Sequence, residues 1–196
     1  DRTQWERNHH RAVDAAFPNV PAKLEEINIL TNIISDEERE RLIEISKPLL
    51  ISGEDLAKRF GAERAYPGCQ TGSNLHVHRE FDELNGEILR RIRKDLGMDF
   101  GMEKAWVNWS NGKSKDRNWH IHETAPYAFV YYMKHLPFFN NGTLFHVIVN
   151  RKIKEYFFKA PQNSLVIFPS HVLHTAPTCP FRSDRYTFAG NLEFRE

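Results

Sequence analysis

Apolar and polar positions follow two different periods along the chain, and the period changes near Gly97. Before Gly97, apolar residues recur every three or four positions, which is the spacing of one face of an amphipathic helix. These residues are Phe81, Leu84, Ile88, Ile92 and Leu96. Gly97 is suited to end the helix, because glycine readily adopts the left-handed conformation found at helix C-termini. The pattern therefore predicts a helix that ends at residue 96.

The chain before this helix is predicted to contain one strand and one further helix. Residues 26–34 carry enough β-branched side chains for a first strand. Residues 35–38, Ser-Asp-Glu-Glu, fit a capping box and predict a helix that ends near Pro48. Residues 1–26 show no sustained period, so an extended lead-in is expected there.

From Lys104 onward the chain consists of short β-rich runs separated by turn residues. The predicted strands cover residues 106–109, 119–122, 127–133, 143–149, 155–159, 164–168 and 185–194. Helices followed by strands predict an α+β protein whose second half closes as a sandwich or barrel, with the helices packed outside. We expect a single domain over residues 27–196, with helical support over 27–103 and a β-rich core over 104–196.

The composition is that of an ordinary soluble domain. The chain has 196 residues, and Lys+Arg 27 against Asp+Glu 26 gives a net charge of +1, which disfavours duplex nucleic acid as a partner. No apolar run approaches the ~18–20 residues of a membrane span, and the first residues do not resemble a signal peptide. A cytoplasmic protein is therefore expected. Cys69 and Cys179 fit neither a metal motif nor a disulfide framework.

Histidine spacing is the most informative chemical signal among the ten histidines. His120 and His122 lie in a predicted strand, where residues two apart share a face, so both rings can converge on one ion. His76 and His78 have the same spacing but precede a helix among turn-forming residues. Since no further ligand candidates accompany that second pair, a structural role is expected for it.

Further polar residues follow at the ends of the next predicted strands. His171 and His174 come directly after the buried-type strand at residues 164–168. Arg185 opens another strand, and Thr187 lies two positions later on the same face. Histidines, a guanidinium and a hydroxyl at neighbouring strand ends predict a site for a metal ion and a small molecule.

The order of these residues resembles the Fe(II)/2-oxoglutarate-dependent dioxygenases, and within them the prolyl-hydroxylase-like branch. The resemblance covers residues 104–194. It rests on His120-x-His122, Tyr131-Tyr132-Met133, Phe168-Pro169-Ser170 with His174, and Arg185-Tyr186-Thr187. It implies a double-stranded β-helix, also called a jelly roll, with the N-terminal helices outside one sheet.

The resemblance also implies roles for individual residues. His120 matches the first histidine ligand of the family's metal motif, and His174 matches the distal one. Arg185 matches the arginine that pairs with the far carboxylate of 2-oxoglutarate. Thr187 and Tyr132 match the hydroxyl groups that accompany this arginine.

Position 122 departs from the family's pattern, which has a carboxylate there. Either His122 is the third metal ligand, or Glu123 reaches the metal from the next position, or the site no longer binds iron productively. A regular strand would point Glu123 to the opposite face, so we favour His122.

The implied function is the oxidation of a C–H bond, with Fe(II) and 2-oxoglutarate as cofactors and succinate and CO2 as products. Dioxygen and an unidentified protein side chain or small metabolite are the other partners, and Asn108 can contact the oxo acid or this substrate. The alternative is a non-catalytic or 2-oxoglutarate-independent, cupin-like jelly roll that binds a metal or small acid.

Overall fold

A computed structural model describes residues 21–61, 68–111, 119–122, 124–139 and 141–195. The α-helices in these ranges are α1 (Asp36–Ser46), α2 (Gly53–Phe60) and α3 (Asp82–Leu96). The strands are β1 (Asn28–Thr31), β2 (Ile51–Ser52), β3 (Cys69–Gln70), β4 (Phe100–Ser110), β5 (Tyr127–Lys134), β6 (Gly142–Val149), β7 (Lys152–Lys159), β8 (Ser164–Pro169), β9 (His174–Thr175) and β10 (Arg185–Phe194). None of the helices described is both long and apolar enough to cross a membrane.

The strands form two sheets in which neighbouring strands are antiparallel. The large sheet has seven strands in the order β1-β8-β5-β10-β4-β3-β2, and the small sheet has three in the order β7-β6-β9. Strands β8, β5, β10 and β4 therefore form the centre of the large sheet. The predicted α+β combination of helices and strands is confirmed.

Alternating side chains along the central strands divide the hydrophobic core into two layers. In β5, Phe129 and Tyr131 pack in a cluster with residues of α1 and α3, whereas Val130 and Tyr132 pack in a second cluster with residues of the small sheet. This alternation follows from the two-residue period of a strand. Helices α1 and α3 thus cover one face of the large sheet, in agreement with the expected packing of helices outside the sheet, and the small sheet covers the other face.

Local capping interactions set the ends of the predicted helices. Ser35 caps α1, because its side chain accepts a hydrogen bond of 3.1 Å from the backbone N–H of Glu38. The reciprocal half of the predicted capping box is absent from the hydrogen bonds of this described segment, and the carboxylate of Glu38 instead accepts bonds from Arg41. Gly97 ends α3 with φ of 69°, in agreement with the prediction.

Three segments differ from the sequence-based expectation. Strand β4 begins at Phe100, earlier than the strand expected at residues 106–109. The sequence pattern does not predict α2, which has only eight residues and begins after the capping Ser52. Residues 119–122 form a single bridge rather than a strand, because the chain opposite them, residues 170–174, contains a turn.

Candidate metal centre

Three histidine side chains meet where the small sheet faces the large one. The possible ligand atoms of His120, His122 and His174 all lie within 4.8 Å of one another. Their ring centroids are separated by 4.3 Å (120 to 174), 5.1 Å (122 to 174) and 5.4 Å (120 to 122). Across the ranges that the structure describes, this is the one group of three such side chains that can hold a metal ion.

Main-chain hydrogen bonds bring these residues together from distant parts of the sequence. His120 and His174 each donate a backbone hydrogen bond of 3.0 Å to the other's carbonyl oxygen. The backbone N–H of His122 donates to the carbonyl oxygen of Ser170 at 2.9 Å. Segment 119–122 is therefore held against β9 and the loop before it, which brings the three imidazoles together although residues 119–122 do not form a regular strand.

His174 is the most deeply buried of the three, with 4% of its surface exposed. Its Nδ1 lies 2.9 Å from the carbonyl oxygen of Val172, so Nδ1 carries the proton and Nε2 keeps its lone pair. Burial, assisted by His120 and His122, holds the pKa of His174 well below its ordinary value. The ring is therefore neutral at pH 7, which is the form that binds metal.

His122 is oriented by two side chains from the central strands. Its Nδ1 lies 2.5 Å from Oδ1 of Asn191, and a bond of this kind fixes the orientation of the ring. The Trp106 ring stacks on the imidazole, with centroids 5.6 Å apart and an interplanar angle of 18°. The prediction that involves Glu123 concerns a residue outside the described ranges.

The other predicted site residues lie in one row across three strands of the large sheet. Thr187 in β10 is directly opposite Tyr132 in β5 and Asn108 in β4, and opposed residues share a face. Arg185 precedes Thr187 by two positions in the same strand. Tyr132, Thr187 and Arg185 are buried, and Asn108 is half-buried. This row faces the small sheet, as the histidine cluster does.

Arg185 places a buried positive charge beside this row, two positions before Thr187 along β10. Its Nη2 donates to the carbonyl oxygen of Gly142 at 3.0 Å, and its guanidinium carbon lies 5.8 Å from the centre of the Tyr132 ring. The Tyr132 hydroxyl is 2.5 Å from that of Thr143, and burial raises the pKa of this phenol. Arg182, by contrast, is exposed.

Sequence reasoning did not identify Asn191 or Trp106, although Asn191 carries a weak signal. Asn191 lies an even number of positions after Arg185 and Thr187 in a predicted strand, which places all three side chains on the same face. Both side chains contact His122, and these contacts depend on the register of β4 against β10, in which Trp106 is opposite Ala189.

No protein-family model and no curated protein sequence matches the chain. Solved structures do match its fold. A prolyl-4-hydroxylase from Pseudomonas putida is 13% identical with a TM-score of 0.54, over 87% of this chain and 94% of that one. The non-heme alpha-ketoglutarate-dependent epimerase SnoN from nogalamycin biosynthesis is 10% identical with a TM-score of 0.61, over 84% and 76%.

A third match was solved with ligands. HygX from Streptomyces hygroscopicus, with nickel, 2-oxoglutarate and hygromycin B bound, is 9% identical with a TM-score of 0.56, over 85% of this chain and 83% of that one. At these identities the matches describe the fold, and they agree with the resemblance found in the sequence. The chain therefore has a 2-oxoglutarate/Fe(II)-oxygenase-like fold.

Proposed function

We propose that the protein is an Fe(II)- and 2-oxoglutarate-dependent oxygenase whose two sheets form a double-stranded β-helix. The observation that supports this most directly is the placement of His120, His122 and His174 within 4.8 Å of one another in an oxygenase-like fold. A buried arginine on the same inner side of the large sheet adds an anion-binding group. Metal and oxo-acid sites in one space are what this reaction needs.

The donor atoms fit a first-row divalent metal ion. The Nδ1 atoms of His122 and His174 lie beside Asn191 Oδ1 and the Val172 carbonyl oxygen, so Nε2 is the atom that each ring would direct to an ion. Neutral imidazole is a suitable ligand for Fe(II). Three histidine ligands would leave coordination positions of such an ion for the oxo acid and dioxygen. His120, His122 and His174 would therefore hold the metal.

The inner row of the large sheet fits the carboxylate of 2-oxoglutarate. Arg185 offers a planar pair of donors that matches a carboxylate, and Thr187 and Tyr132 offer hydroxyl groups from adjacent strands. Asn108 lies opposite Thr187 and would contact the oxo acid or the substrate. When bound, Fe(II) and 2-oxoglutarate supply the oxidising chemistry for hydroxylation of a C–H bond, with release of succinate and CO2.

The chain's own contribution is to bind these groups and to exclude water. Phe145 and Phe168 lie against the His174 ring, with centroids 6.0 Å and 4.7 Å away, and both side chains are fully buried. A closed apolar wall on one side of the metal ligands limits access of water to that side. The substrate would be a protein side chain or a small metabolite that approaches from the opposite, open side.

Anaerobic titration of the purified protein with Fe(II) and 2-oxoglutarate tests this proposal. We expect a visible metal-to-ligand charge-transfer band that His174→Ala abolishes. Arg185→Ala should weaken 2-oxoglutarate binding about tenfold or more, because a charge-assisted hydrogen bond contributes ~1.5–3 kcal/mol. Arg182→Ala is the matched control, since Arg182 is exposed in the preceding turn.

Two outcomes would contradict the proposal. The absence of Fe(II) binding would remove the metal centre altogether. Metal binding without the charge-transfer band, and with no effect of Arg185→Ala on the oxo acid, would instead favour the cupin-like, 2-oxoglutarate-independent alternative.

A further inference from the structure

A chain of side-chain hydrogen bonds leads from His122 to a carboxylate on the neighbouring strand. His122 Nδ1 lies 2.5 Å from Oδ1 of Asn191, and Nδ2 of Asn191 donates to Oε2 of Glu103 at 3.1 Å. The hydroxyl of Thr124 donates to the same carboxylate oxygen at 3.0 Å. Asn191 is 5% exposed, so the central link of this chain is shielded from water.

The Glu103 carboxylate sets the direction of the hydrogen bonds that link it through Asn191 to His122. An ionised carboxylate can only accept, so the Asn191 amide must turn its NH2 group toward Glu103 and its oxygen toward His122. The oxygen of an amide also only accepts, and His122 must therefore donate from Nδ1. In this tautomer the lone pair lies on Nε2, the atom that would bind a metal ion.

A β-bulge places Glu103 in this position. Along β10, Asn191 is opposite Lys104 while the next residue, Leu192, is opposite Met102, so Glu103 is an extra residue in β4. Bulges redirect side chains out of the regular alternation and are common beside functional sites. Here the extra residue turns a carboxylate toward Asn191 beside the metal centre.

The charge of Glu103 is only weakly neutralised by its surroundings. Its other oxygen, Oε1, lies 3.9 Å from Nζ of Lys104, whose side chain is 45% exposed, whereas the Glu103 side chain is 24% exposed. A long ion pair with an exposed lysine is screened by solvent. Oε2, in contrast, accepts two hydrogen bonds, one from the buried Asn191 and one from the exposed Thr124.

We propose that Glu103, acting through Asn191, is a positioning residue that fixes the tautomer of His122 and strengthens its binding of the metal ion. This inference rests on the proposed function in so far as it requires a metal at the three histidines. Three neutral imidazoles leave the full charge of a divalent cation unbalanced. The Glu103 carboxylate is linked to His122 by two hydrogen bonds. Its negative charge polarises these bonds toward the metal and compensates part of the metal's charge.

Cobalt(II) binding to the full chain, measured anaerobically by titration, tests this inference without requiring turnover. We expect Glu103→Gln to weaken Co(II) binding about tenfold to a hundredfold, the usual effect of losing a partner of a metal-binding histidine. Glu193→Gln is the matched control, because Glu193 is exposed on the adjacent strand and lies opposite Gly101. It should leave Co(II) affinity unchanged.

A charge-relocation variant separates electrostatics from packing. In the double variant Glu103→Gln with Asn191→Asp, the carboxylate moves next to His122, and the total charge of the hydrogen-bonded residues 103, 191 and 122 is preserved. We expect it to recover most of the affinity lost in Glu103→Gln. If the double variant binds Co(II) as weakly as Glu103→Gln, the charge is not responsible and the inference is wrong.

The tautomer of His122 provides a readout that needs no metal at all. Long-range 15N–1H NMR spectra of the metal-free protein should show His122 protonated at Nδ1, and this preference should be lost in Asn191→Ala. A wild-type ring protonated at Nε2 would overturn the inference.

The two proposals fail in different ways. If wild-type protein binds Co(II) and His174→Ala does not, an unchanged affinity in Glu103→Gln overturns only the role of Glu103. If the wild-type protein does not bind Co(II), both the metal centre and the role of Glu103 are overturned.

Discussion

At the scale of single residues, the protonation of His174 is determined by its surroundings. The ring is 4% exposed, and its Nδ1 is bonded to the carbonyl oxygen of Val172. A proton added at Nε2 would place a charge in an apolar space beside His120 and His122. For this reason the pKa of His174 lies well below its ordinary value, and the site is ready for a metal ion at neutral pH.

This depressed pKa predicts how the stability of the metal-free protein depends on pH. Below the unfolded-state pKa of about 6.5, the unfolded chain takes up a proton at His174 that the folded chain excludes, so stability falls with falling pH. Between about pH 7.5 and about pH 5.5 we expect His174 to account for a loss of up to about 1.4 kcal/mol in the free energy of unfolding. Urea denaturation in the presence of a chelator measures this loss.

His174→Gln should show a shallower pH dependence than the wild-type protein over this interval. Above about pH 7.5 the two slopes should coincide, because the histidine is then neutral in both the folded and the unfolded state. Equal slopes below about pH 6.5 would contradict the prediction.

At the scale of elements, β10 joins the two candidate binding groups. Its inward-facing residues run from Arg185 through Thr187 and Ala189 to Asn191, so one end of the strand provides a guanidinium and the other end contacts His122. Gly190 lies between Ala189 and Asn191, and its lack of a side chain lets β10 approach β4 and β5 closely. A Cβ atom there would lie 2.3 Å from the carbonyl oxygen of Lys104 and 2.7 Å from the Phe129 ring.

Alanine substitutions at two glycines should therefore have opposite effects on stability. Gly190→Ala should lower the free energy of unfolding by about 1–3 kcal/mol, because a methyl group must be forced against rigid backbone and a buried ring. Gly86→Ala is the control, since Gly86 lies in α3, and a methyl group added there would meet no atom within 4 Å beyond the backbone of its own helix. It should raise stability by about 0.5–1 kcal/mol through helix propensity.

Urea denaturation of both variants provides the comparison. A neutral or stabilising effect of Gly190→Ala would show that β4, β5 and β10 can move apart at little cost, and would contradict the close packing argued for this strand.

At the scale of the whole molecule, the histidine cluster connects the two sheets. His174 belongs to β9 of the small sheet, whereas His122 is hydrogen-bonded through Asn191 to β10 of the large sheet. Segment 119–122, which carries His120, is held to the loop before β9. An ion bound by all three rings would therefore link the two sheets.

Metal binding should consequently stabilise the folded protein. A ligand that binds only the folded state, at a concentration about one hundred times its Kd, adds about 2.7 kcal/mol to the free energy of unfolding. We expect this increment when cobalt-loaded and chelator-treated wild-type proteins are compared by urea denaturation. His174→Ala should lose it, and an equal increment in that variant would show that the metal binds elsewhere.

Much of the architecture is predictable from local patterns. The period of Leu84, Ile88 and Ile92 and the glycine at 97 correctly predict α3, because helix periodicity and capping depend on residues only a few positions apart. The β-rich runs predicted at residues 127–133, 143–149, 164–168 and 185–194 likewise correspond to observed strands, namely β5, β6, β8 and β10. Short elements such as α2 escape this reasoning, since eight residues carry too little periodicity.

The sequence alone also predicts which side chains form the candidate site, because the spacing of His120, His122, His174 and Arg185 can be read along the chain. Tertiary structure decided which of their neighbours act on them. His122 and Asn191 are 69 positions apart, and Glu103 reaches Asn191 only because a bulge shifts the register between β4 and β10. Contacts of this kind depend on strand register and on the packing of two sheets, and no local pattern of residues specifies either.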